Sequence, residues 1–351
     1  MSPPKSSAST TRRRRQPPWT KLPDDELLDL RFCDLGLTIE STPLLGRVEA
    51  LYEQLERRDI RLRPHCWLSD EWFSPDQVPG IAIPFYLAHP RLQRLERRMM
   101  LDVEGGTTPW CMQILRHEAG HCVDTAFRLH RRKRWQKVFG HSTEPYPDNY
   151  RPRPYSKAYV QHLDSWYAQS HPSEDFAETF AVWLNPGSRW RQRYKGWPAL
   201  KKLDYVDDLM GEIAGQRPAI TSRKRVGRLS ELRKTLRLHY QERQRRYGVD
   251  EPELLDNDLH KLFTSSRGTG KRESALGFLR RSRTELRRTV SKWTGENPYT
   301  VDQVLQEMIA RCRHLKLYRS NSQRQTMHDA ALLLAVHTMK YLLAGQPERS
   351  L

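Results

Sequence analysis

The chain has 351 residues, with 60 Lys and Arg against 42 Asp and Glu, a net charge of +18. That length suits about two domains and can bury a core without disulfide staples. With 37% hydrophobic and 29% charged residues, 10 Trp and 14 Tyr, the composition is too polar for an integral membrane protein and too aromatic for a wholly disordered chain. No run of about 18 apolar residues occurs, which excludes a transmembrane helix.

The five cysteines (33, 66, 111, 122 and 312) form no CxxC pair and are odd in number. This argues against a disulfide framework or a zinc ribbon and for a reducing, cytoplasmic compartment. The N-terminus is basic at Arg12 to Arg15 with no apolar stretch behind it, so no secretory leader is expected. Residues 1–21 read as a disordered basic tail carrying +6. Residues 22–199 are electrically balanced, and residues 200–351 carry +12. The expected organisation is therefore a tail, a balanced domain over 22–199 and a basic helical region over 200–351.

In chain order, Asp24 to Leu30 and Leu44 to Arg58 carry helical spacing. Ile60 to Leu68, Ile81 to Leu87 and Arg98 to Val103 read as strands, with Ile81 to Leu87 an edge on which an extended substrate could dock. Pro79-Gly80 and Gly105-Gly106 mark turns. A long helix runs from Thr108, its expected N-cap, with Pro109 at the first position, to about Leu129. Glu144 to Tyr155 is proline-rich and reads as a loop. A further helix starts at Pro172 or Ser173, where His171 suits an N-cap, and ends at Asn185-Pro186-Gly187. Helical periodicity returns at 228–247, 273–294, 301–316 and 324–343. Gly268-Thr-Gly-Lys-Arg lacks the first glycine and the hydroxyl residue of a phosphate-binding loop and reads as a turn.

The chemistry concentrates in His117-Glu118-Ala119-Gly120-His121. Residues i and i+4 share a helix face, so His117 and His121 can reach one metal ion, and imidazole nitrogens suit zinc. Glu118, one residue along, suits a general base acting on water. A catalytic zinc takes three protein ligands. The best third candidate lies in His171-Pro-Ser-Glu-Asp-Phe-Ala-Glu178, where Glu174 and Glu178 are again i and i+4. Two inward carboxylates need a cation or donors. The natural division puts Glu174 on the metal and Glu178 on a ligand imidazole. Ala177 and Ala181 allow close approach to the first helix.

These segments resemble the zinc-binding metallopeptidases of bacteria and, more distantly, the lethal-factor-like branch of the gluzincin proteases. The resemblance covers roughly residues 30–187, with sharp motifs at 117–121 and 167–178. It implies an α+β, zincin-like fold: a small mixed sheet plus active-site helices, followed by the α-helical C-terminal region. It implies one catalytic Zn²⁺ on His117, His121 and Glu174, with Glu178 behind them. It also implies that Tyr167, seven residues before Glu174, stabilises the oxyanion. Many members carry an N-terminal CxxC zinc ribbon, which this chain lacks. The expected function is zinc-dependent hydrolysis of peptide bonds, by a zinc-activated water with Glu118 as base, on peptide or protein substrates. The basic C-terminal region offers a face to an anionic partner. The alternative is a nucleic-acid-associated or scaffold protein whose HExxH domain is not primarily catalytic, although no nucleic-acid reading motif is present.

Overall fold

In a computed structural model, residues 17–147, 153, 156–247, 256–266 and 272–344 are described. The expected tail therefore lies outside them except for residues 17–21, as do the turn at Gly268 and part of the Glu144–Tyr155 loop. The elements are α1 (Asp24–Leu28), α2 (Leu44–Glu56), β1 (His65–Ser69), β2 (Gly80–Pro84), α3 (Pro90–Met100), α4 (Thr108–Phe127), α5 (Lys133–Phe139), α6 (Pro172–Leu184), α7 (Trp190–Arg193) and α8 (Ala199–Ile213). The C-terminal part follows as α9 (Leu236–Tyr247), α10 (Asp256–Leu262), β3 (Phe263–Thr264), α11 (Ala275–Thr294), α12 (Pro298–His314), β4 (Tyr318–Arg319) and α13 (Gln323–Ala344). The architecture is mostly helical with very small sheets, an α+β fold with a helical C-terminal region.

The strands β1 and β2 pair in parallel, and every residue of Gly80–Pro84 is buried. The far side of β2 is engaged as well: Ala82 bridges Phe73 in antiparallel sense, with its N–H on the Phe73 carbonyl at 2.9 Å. The docking edge expected at Ile81 to Leu87 is thus covered, and residues 85–88 form a 3₁₀ turn. The strand expected at Arg98 to Val103 is instead the end of α3. His89 caps that helix by accepting from Arg91 N–H, Pro90 opens it, and Leu92, Leu95 and Met100 continue one buried face. Leu101, in the left-handed region at φ 66°, stops it.

The site-bearing helix α4 begins one residue before expectation. Its N-cap is Thr107, whose hydroxyl accepts from Trp110 N–H, so Thr108 and Pro109 fill the first turn. Against it packs α6, capped by His171. The two helices touch at Gly120, where an added Cβ would lie 2.8 Å from Ala177 Cα. Glycine is thus what lets the two backbones approach.

Helix α8 braces the outer side of α6. Lys202 pairs with the buried Asp175, and Asp207 accepts from Trp183 Nε1 at 2.7 Å. The residue-200 boundary expected from charge falls inside this helix. Apolar packing divides elsewhere: one cluster runs from Trp19 to Tyr240, and a second from Leu259 to Leu334. Charge records surface composition, whereas the division of cores is set by which apolar faces meet.

Candidate metal centre

Two features of α4 and α6 set the site. Each carries its polar pair at i and i+4, and the Gly120–Ala177 contact brings the two pairs face to face. His117 Nε2 lies 3.0 Å from Glu174 Oε2, His121 Nε2 lies 3.2 Å from the same oxygen, and the two Nε2 atoms are 3.1 Å apart. His117 and Glu174 are buried, and His121 is partly so.

Behind them, Glu178 is buried and fully engaged. Its Oε1 accepts from His117 Nδ1 at 2.8 Å and its Oε2 accepts from Leu163 N–H at 2.8 Å. The proton on Nδ1 is assigned from this carboxylate partner. It leaves His117 Nε2 with a lone pair that points at a carboxylate oxygen and a second imidazole. Three electron-rich atoms facing one another need positive charge between them.

The electrostatic surroundings point the same way. Burial opposes charge on His117 and His121, yet the neighbouring carboxylates override it and raise both above the ordinary imidazole value. Burial likewise opposes the Glu174 carboxylate, but His121 and His117 hold it well below the usual range.

The donor set suits a metal. Zinc bonds of about 2.0–2.1 Å in a tetrahedron place ligand atoms about 3.3–3.4 Å apart, close to the separations found. Among the described residues this His-His-Glu set is the only cluster of three such donors that converges.

Glu118, next to His117, lines a cleft of about 900 Å³ together with His117, His121, Tyr167 and Glu174. Its Oε2 accepts from the Ser74 hydroxyl at 2.8 Å, so the carboxylate is aimed rather than loose. Tyr167 has its ring centre 5.6 Å from that of His117. Burial and then the surrounding carboxylates push its phenol well above 10, which keeps it a proton donor. The residue before it, Trp166, adopts φ 54°, costly for a bulky side chain. The segment is pinned by Leu163 on Glu178 and by His162, whose carbonyl accepts from Gln113 Nε2 at 2.6 Å.

All six residues singled out from the sequence therefore gather at one place: five line the cleft and Glu178 stands behind His117. The expected N-cap at His171 is present, and Cys122 beside His121 is buried in the core. Asp124 is buried and accepts from the backbone N–H and Nδ1 of His130 at 2.7 and 2.9 Å, closing the end of α4. Sequence reasoning missed two side chains that touch the site. One is Ser74, from the loop after β1. The other is Tyr146, whose hydroxyl donates to Glu174 Oε1 at 2.8 Å.

The donor set is of a kind that could hold a divalent metal ion on two helices, with a carboxylate beside it. Residues 110–187, from the first turn of α4 to just beyond α6, match the family model described as "Putative zinc-binding metallo-peptidase". The match supports a metallopeptidase role in general terms. No curated protein and no solved structure matches the chain.

Proposed function

We propose that the chain hydrolyses peptide bonds at the cleft between α4 and α6, with one zinc ion held by His117, His121 and Glu174. The observation that carries this reading is the convergence of three lone-pair donors on one point, beside a carboxylate that is not part of the set. When bound, zinc supplies Lewis-acid polarisation and makes a water acidic near neutral pH. Glu118 takes a proton from water and returns it to the leaving amine. Ser74 fixes the carboxylate from which that transfer is made. Tyr167 donates a hydrogen bond to the oxygen on which charge develops. Glu178 keeps the His117 proton on Nδ1, so that Nε2 faces the centre. Trp72 and Phe73 also line the cleft.

We read residues 17–247 as the catalytic unit, since α8 and α9 share its core, and residues 256–344 as an appended helical unit. The test is metal analysis joined to a peptide-library digest. The purified chain is expected to hold one zinc per molecule and to cut peptides. Chelation should stop cleavage, and zinc should restore it. Cleavage that survives complete zinc removal would sink the proposal.

A further inference from the structure

Tyr146 enters the cleft from the loop between α5 and α6, and its place there is built rather than incidental. Its hydroxyl donates to Glu174 Oε1 at 2.8 Å, while Oε2 of the same carboxylate faces both imidazoles. The two oxygens therefore have separate partners. The ring lies flat on His171, with centres 3.8 Å apart and planes 16° from parallel. His171 is itself fixed on both nitrogens. Nδ1 accepts from Ser173 N–H at 3.1 Å, capping α6, and Nε2 donates to the Glu144 carbonyl at 2.9 Å. One imidazole at the start of α6 thus anchors the loop, and the tyrosine of that loop holds a carboxylate in the first turn of the same helix. Tyr146 is 47% exposed, so burial of its ring does not explain its position.

A carboxylate can bind a metal through one oxygen or through both. Binding through both would add a fifth ligand atom and crowd the position that a catalytic zinc site keeps open. A donor on Oε1 works against that second bond. We propose that Tyr146 is a positioning residue that restricts Glu174 to one-oxygen ligation and so keeps the open position of the metal available. This rests on the assignment of His117, His121 and Glu174 as ligands.

Tyr146→Phe keeps the ring on His171 and removes only the hydroxyl. Outer partners of this kind act on metal affinity on a scale of about 10- to 100-fold, and a change of about tenfold or more is expected in zinc competition against a chelator. In the cobalt-loaded protein, the visible bands should lose intensity as the coordination number rises, a change that a packing role would not produce. In the Glu174→Gln background, where the amide offers a single ligand oxygen, adding Tyr146→Phe should change affinity less than about twofold, because the two residues act through one interaction. Unchanged zinc affinity and an unchanged cobalt spectrum in Tyr146→Phe would overturn the proposal. So would an equal change of affinity in both backgrounds. A parent chain that takes up no zinc, or a Glu174→Gln variant that binds zinc as tightly as the parent, would instead remove the ligand assignment, and this proposal with it.

Discussion

Replacing Glu178 with Gln changes one oxygen into an NH₂ group at constant shape. The site offers that group no acceptor, because both of the carboxylate's partners, His117 Nδ1–H and Leu163 N–H, are donors. If the amide nitrogen faces His117, the imidazole must move its proton to Nε2 and loses the lone pair that faces the centre. If it faces Leu163, two N–H groups collide in a buried place and the segment leading to Tyr167 is displaced. Either way, a hydrogen bond to a buried charge worth about 1.5–3 kcal/mol is lost. In metal affinity this corresponds to about 10- to 100-fold. Zinc competition against a chelator reads the first outcome, and kcat at saturating zinc reads the second. A Glu178→Gln variant with the parent's zinc affinity and the parent's kcat would refute the reasoning.

Gly120→Ala tests the helix contact that builds the site. Alanine normally stabilises a helix interior by about 0.5–1 kcal/mol over glycine. Here the new Cβ would sit 2.8 Å from the Ala177 backbone, and overpacking of this kind costs about 1–3 kcal/mol. A lower Tm and weaker zinc binding are expected, and a raised Tm would contradict the contact. His239 supplies a pH test away from the site. Burial first, and then Arg243, Lys234 and Arg246, push its pKa from 6.5 down to about 2. The unfolded chain therefore binds a proton below about pH 6.5 that the folded chain does not. Stability falls as pH falls from there, by about 1.4 kcal/mol per pH unit. Denaturant unfolding at pH 7 and pH 5 should show the parent losing about 2 kcal/mol more than His239→Leu, and equal losses would rule out a buried uncharged His239.

The parts of the site that local geometry dictates were legible in the sequence. His117 and His121, and likewise Glu174 and Glu178, share helix faces because 3.6 residues make a turn, and threonine, histidine and proline mark where both helices begin. What depends on how separate segments meet was not legible. Tyr146 reaches Glu174 across 28 residues, and Ser74 reaches Glu118 across 44. Neither sits in a periodic pattern. Arg98 to Val103 reads as a strand when taken alone, but Leu92 and Leu95 before it place Met100 on the buried side of a helix. A division at residue 200 followed charge, whereas the packing of Leu203, Val206 and Met210 joins α8 to the first core.

In the proposed function, Glu118 moves the proton in a zinc-dependent cleavage of peptide bonds. The most direct measurement compares the parent with Glu118→Gln for bound zinc and for peptide cleavage, side by side. Zinc content is expected to be equal, and kcat to fall by at least about 100-fold, the scale on which general acid–base groups contribute. Equal cleavage by the two proteins, each with its zinc in place, would contradict it.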